Sequence, residues 1–288
     1  MFFEYLLVFV FGLCIGSFLN CVIYRLEAKK GLGGRSFCPK CKKELAWQDL
    51  IPVFSFLFLK GKCRNCKQKI SIQYPFVELA TGIVFLLVFY KLAVIPDPRC
   101  CLRAGLIGNP EYYHWIPAFA GMTEKGVGIT GAIINLGFWF YVVSVLIVIF
   151  VYDLKHYIIP DKVLLPAIGL TAVYILFFNF SGLQGSLLAA LAGFAFFFAI
   201  FFVSQGKWMG FGDVKLAILI GLLLGFPNTF AALFFAFFFG AIIGIISMIF
   251  GKKGLKSEIP FGPFLVLGTF AAEFWGEKLI NWYLNFLL

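Results

Sequence analysis

Long apolar runs separated by short polar turns dominate this chain. They lie at 2–24, 75–96, 132–152, 163–180, 187–204, 214–226, 228–250 and 262–286. A helix rising about 1.5 Å per residue needs about 20 apolar residues to cross a hydrocarbon core. The runs therefore predict an all-α, polytopic membrane protein of about eight transmembrane helices. The run from 214 is short and is parted from its neighbour only by GFPNT, so seven spans with one re-entrant piece is the alternative. Glu4 stands where a cleavable signal peptide carries basic residues, so the first span is expected to stay.

Composition agrees with the pattern: 61% of the 288 residues are hydrophobic, 19% aromatic and only 13% charged. That balance excludes a soluble domain. The formal charge of +10 would suit a nucleic-acid partner if it were spread over a surface, but it is confined to particular loops. Residues 25–72 hold twelve Lys or Arg against three acids, and further basic turns lie at Lys155 with Lys162, at Lys207 with Lys215, and in GKKGLKSE at 251–258. With eight spans all four segments fall on one face, which the positive-inside rule makes cytoplasmic. The other loops are close to neutral. The partner this charge implies is a lipid bilayer, not nucleic acid.

The loop at 25–72 carries two C-x-x-C pairs, Cys38 with Cys41 and Cys63 with Cys66. Thiolates three residues apart on a tight turn reach one ion, and two such turns close a tetrahedral four-sulfur zinc site. The competing readings are two disulfides, disfavoured on the reducing face, and a redox pair, which needs only one C-x-x-C. Four protein ligands leave no position open for water, so such a zinc is structural. Cys14 and Cys21 in the first span read as small buried hydrophobes, and Cys100 and Cys101 have no assigned partner.

Acids at the edges of the spans are the remaining chemistry, since charge there is costly and marks function by default. Asp153, in VYDLKHYIIPD (151–161), sits at a helix C-terminus, where the macrodipole disfavours it. Pairing with Lys155 or Lys162 is the plain alternative. Asp161 follows Pro160 at the start of the next span and reads as an N-cap. Asp213, in GFGDVKLA (210–217), reads either as an N-cap or as a functional acid in a turn that Gly210 and Gly212 let other chains approach. Asp153 and Asp213 lie on the same expected face, at opposite ends of antiparallel spans, so they can meet. Two carboxylates brought together share a proton, and such a pair can hydrolyse a peptide bond through water. His156 could tune Asp153 or simply be solvated, His114 lies on the far face, and Glu78 could cap, snorkel or touch a ligand.

Taken together, GSFLNCVIYRL (16–26), CPKC with CRNC, IPVFSFLFLKGKCRNC (51–66), YPFVELATG (74–82), DLKHYIIPD and GFGDVKLA resemble the type IV prepilin peptidases, aspartic GxGD leader peptidases of the bacterial inner membrane. The motifs span both halves of the chain in the family's order. The resemblance implies that Asp153 and Asp213 are the catalytic pair. It implies type IV prepilin or pseudopilin precursors as substrates, and methylation of the new N-terminus from S-adenosylmethionine, whose binding residues no motif identifies. It also implies a domain order: an N-terminal region at 1–96 with the zinc loop and methyl transfer, then a catalytic helical region at 132–288. The Gly- and Pro-rich segment between them, 97–131, departs from the family and reads as an extracytoplasmic insertion. The rival reading is a polytopic transporter whose aspartates bind protons or cations, which expects acids nearer the membrane midplane.

Overall fold

The computed structural model describes residues 2–31, 33–94, 129–250 and 259–287. Nearly everything in them is helical, and β structure is limited to two isolated bridges. The helices are α1 (Phe2–Glu27), α2 (Phe54–Phe58), α3 (Gln73–Val94), α4 (Ile129–His156), α5 (Asp161–Phe178), α6 (Leu183–Ser204), α7 (Phe211–Leu224), α8 (Asn228–Ile249) and α9 (Gly262–Leu287). All but α2 coincide with the eight apolar runs. Six of them, α1, α3, α4, α5, α6 and α8, are long and apolar enough to cross a membrane. α9 has the length but carries Glu273, Glu277 and Lys278. Most of the segment expected as an insertion, with Cys100, Cys101 and His114, lies outside the described residues.

The chain divides into two compact units, 1–144 and 145–288, with the boundary inside α4. In the first, α1 and α3 pack antiparallel with their backbones in close approach. A Cβ on Gly12 would stand 2.8 Å from the Gly82 Cα, and one on Gly16 would stand 2.7 Å from the Glu78 Cα. One turn further along, the Asn20 side-chain amide donates to the Tyr74 carbonyl at 3.0 Å. Phe140 of α4 stacks on Phe85 of α3, with ring centroids 4.2 Å apart. Cys14, expected to be buried, is exposed on α1, and Cys21 is half-buried. The reason is that α1 turns its glycine side to α3, which leaves Cys14 on the outer side, where lipid can cover it.

In the second unit α7 is the centre. At 14 residues it is about 21 Å long, too short to cross a bilayer unaided. A short helix that is apolar all round is at home only as core, and Val214, Leu216, Ala217, Leu219 and Ile220 are all buried. α5, α6, α8 and α9 pack against it. Gly221 lets α7 lie directly on the α6 backbone at Ala190. The centre of this unit is thus a short, buried helix whose N-terminal turn carries Asp213.

Candidate active site and metal centre

The two C-x-x-C segments fold as near copies. Cys38 receives a bond from the Lys42 amide and gives its own N–H to the Lys43 carbonyl, both at 2.9 Å. Cys63 does the same with Lys67 and Gln68, at 3.0 and 2.9 Å. Lys42 and Lys67 each take the left-handed conformation, both with φ 57°, which turns the chain back after the second cysteine. An isolated bridge closes each turn, Phe37 with Glu44 and Lys62 with Lys69. The four sulfurs, Cys38, Cys41, Cys63 and Cys66, all lie within 4.8 Å of one another. Sulfurs about 2.3 Å from a tetrahedral ion are about 3.8 Å apart, and Cys38 and Cys66 are at 4.0 Å. The cluster could therefore hold a metal.

Its electrostatics point the same way. Amides of Cys66 and Asn65 flank the Cys63 thiol and hold it down to about 7. At Cys66 the Gln68 amide pulls down, but lost solvation and the sulfurs of Cys63, Cys41 and Cys38 outweigh it and push the thiol up to about 11. Four crowded thiols cannot all ionise alone. A cation among them removes the conflict.

The start of this loop is pinned by Arg25, buried at the end of α1, whose guanidinium donates to the carbonyls of Gly33 at 2.8 Å and Gly34 at 2.7 Å. Its middle is pinned by Glu78, whose carboxylate accepts the Val53 amide at 2.7 Å and a bond from Ser17. Val53 sits at φ 61°, an uncommon conformation for a β-branched residue, and its N–H stands at the N-terminus of α2. Glu78 thus serves as a loop anchor, capping a different helix from its own.

In the second unit three chain turns converge. Asp153 lies in the last turn of α4, which ends where Tyr157 turns left-handed at φ 58° and donates to the Asp153 carbonyl. The Asp153 carboxylate accepts the backbone N–H of Gly262, the first residue of α9. Asp213 is the third residue of α7, and its carboxylate reaches back to the Gly210 N–H. Each acid therefore faces the N-terminus of a helix, where free amides and the dipole favour negative charge. Asp153 is 4% exposed and Asp213 8%, and Asp213 lies near enough for the charge on Asp153 to act on it. Two acids 60 positions apart in sequence are brought together in one secluded place. Both lie at helix ends.

Ile159, buried in the IIP turn, is the spacer among these turns. A Cβ on Gly212 would stand 3.0 Å from the Ile159 Cβ. A Cβ on Gly262 would meet Asp153 Oδ2 at 2.5 Å and Ile159 Cδ1 at 3.4 Å. Neither Ile159 nor Gly262 was anticipated. The signal for Gly262 was PFGP at 260–263, a glycine between two prolines that start a helix, but nothing local ties it to Asp153.

One expectation is corrected here and three alternatives are set aside. Asp161 is not the cap of α5: Pro160 holds that position, no side-chain bond caps the helix, and Asp161 is its first residue. Its carboxylate instead grips Lys215 of α7, with both oxygens 2.8 Å from Nζ. Asp213 is not an N-cap either, since Gly210 occupies that position. Asp153 pairs with neither Lys155 nor Lys162 among the described residues, and Lys155 points outward. His156 is half-buried and packs its ring on Tyr152 at 4.5 Å, so it is not simply solvated.

Comparison with known proteins matches residues 10–92 to the bacterial peptidase A24 N-terminal domain and residues 140–245 to the type IV leader peptidase family. The chain is 30% identical over 283 residues to a prepilin leader peptidase/N-methyltransferase of Bacillus subtilis, with 98% of each chain covered. It belongs to the type IV leader peptidase family. A Legionella pneumophila member with the same name is 30% identical over 99% of this chain and 96% of its own. Another from Pseudomonas aeruginosa is 28% identical over 96% and 91%. No solved structure matches the chain. Within the type IV leader peptidase match fall both acids, and within the N-terminal match all four clustered cysteines.

Proposed function

We propose that this chain removes the short basic leader of type IV prepilins and pseudopilins and then methylates the new N-terminus. Asp153 and Asp213 are its catalytic pair. The observation that carries this reading is the meeting of two buried carboxylates at helix ends, each with a backbone donor. In such a place the pair holds one proton between them: one carboxylate takes a proton from water as it attacks the scissile carbonyl, and the other protonates the departing amine. A substrate anchored by its own membrane helix would present that bond at the same depth, so alignment replaces encounter.

The metal is zinc, held by Cys38, Cys41, Cys63 and Cys66 as a structural ion. S-adenosylmethionine is the methyl donor, supplying an electrophilic methyl group on a cationic sulfur. The N-terminal unit has groups that suit a cation: the Asn20 Oδ1, buried without a hydrogen-bond partner, and the Glu78 carboxylate one turn away along the facing helix. The basic loops support placing both centres on the cytoplasmic face of the bacterial inner membrane.

The test is to incubate the purified enzyme with a pilin-type precursor and read product masses. Loss of the leader marks the peptidase, and a further gain of one methylene's mass with S-adenosylmethionine present marks methyl transfer. An intact precursor under conditions that cleave it with a known family member contradicts the reading.

A further inference from the structure

The longest apolar stretch in the basic loop, IPVFSFLFL at 51–59, has no place in a small polar zinc module. It is too short to span a bilayer, and runs of about 10 apolar residues read as core or interfacial segments. Core is excluded by exposure. Trp47 is 72% exposed and Phe58 83%, and Leu50, Phe54 and Leu57 are exposed as well.

The depth of the segment is fixed by its anchor. Val53 bonds to Glu78, which lies five residues into α3 from Gln73, about 7 Å along the helix axis. Gly16 of α1 packs on Glu78, so Val53 is level with the apolar body of α1, well before its charged end at Arg25 and Glu27. α2 therefore starts at the depth of the first turns of the membrane helices, with Phe54, Leu57 and Phe58 exposed while Phe56 packs on Gly61. Directly after it come Lys60 and Lys62, both exposed, in a loop with twelve basic residues and three acidic ones.

We infer that residues 47–58 are an interfacial foot: Trp47, Phe54, Leu57 and Phe58 enter the boundary between headgroups and acyl chains, and Lys60 and Lys62 meet anionic phospholipid headgroups. Aromatic and leucine side chains beside lysines are the composition that partitions to this boundary. The foot holds the four-cysteine module against the membrane plane. It rests on the proposed orientation only for the anionic charge of the leaflet it meets.

The full-length enzyme in nanodiscs of mixed phosphatidylcholine and phosphatidylglycerol tests this, using lipids brominated high on the acyl chain to quench tryptophan. The Trp47 share of emission is the difference between wild type and Trp47→Phe. Bromolipid is expected to remove about half or more of that share, and Phe54→Ser with Phe58→Ser is expected to reduce the quenching about two-fold while metal content stays constant. Omitting phosphatidylglycerol weakens the quenching. Trp47 emission indifferent to bromolipid overturns the proposal, and equal quenching without phosphatidylglycerol overturns its headgroup part. Bromolipid quenching that a hydrophobic pilin helix abolishes assigns the surface to substrate instead and overturns it too. Both leaflets of the nanodisc are alike, so the outcome is independent of which face is cytoplasmic and of any catalytic role for the acids.

Discussion

The two units hold their polar chemistry by opposite means. In the N-terminal unit the reactive sulfurs are gathered by two local turns, each repeating the same hydrogen bonds, in a loop that is otherwise exposed and basic. In the C-terminal unit the acids come from helices far apart in sequence and are shut in by apolar packing, with one backbone donor each. The first arrangement suits a metal, whose bonds supply the order that a small loop lacks. The second suits proton transfer, where seclusion and fixed donors decide which acid holds the proton. A metal-bound fold and a packing-bound site should fail independently, and that separation can be tested.

The largest effect that sharpens the contrast is expected at Gly262. In Gly262→Ala the new Cβ displaces the Asp153 carboxylate, and misplacing a reacting group by about 1 Å costs about 10²-fold in rate. Leader removal measured on a prepilin should fall by that factor, while methyl transfer to a pre-cleaved pilin stays within about two-fold. The matching break on the other side is Cys63→Ser, or stripping the metal with a chelator. Metal content should fall from about one ion per chain to none, and methyl transfer should drop about 10-fold or more with leader removal within about three-fold. Equal loss of both activities in either variant would show that the units are not independent.

Smaller effects are expected at the Asp161–Lys215 pair. It is bidentate but partly exposed, with 53% of the Asp161 side chain and 24% of the Lys215 side chain accessible, so it contributes about 0–1 kcal/mol. Asp161→Ala and Lys215→Ala should each lower the melting temperature by no more than a few degrees, and the double variant should be no worse than the sum. Strong synergy would mean that the pair also aligns α7, and with it Asp213.

How far the sequence reveals this depends on the range over which each feature is encoded. The helices are legible because apolar length is a property of each segment alone. The four-cysteine cluster is legible because its cysteines come in pairs three residues apart. Asp153 and Asp213 stand out one by one through the cost of charge beside an apolar run, and the order of spans sets them on one face, but the contact itself is a matter of packing. What was missed is nonlocal throughout. Asp161 looked like a cap because Pro160 precedes it, while its partner Lys215 lies 54 residues away. Nothing local to Gly262 points to Asp153, and their contact appears only once α9 is docked. The shortness of α7 was visible in the sequence, but its cause, burial among α5, α6, α8 and α9, was not.

The most direct test assays Asp153→Asn and Asp213→Asn side by side in the full-length, metal-loaded enzyme, for leader removal from a prepilin and for methyl transfer to a pre-cleaved pilin. Each amide keeps the shape of the acid but cannot take or give the proton, and loss of such a group costs about 10²–10⁴-fold. Leader removal should fall into that range in both variants with methyl transfer preserved. Wild-type cleavage by either one would contradict the account.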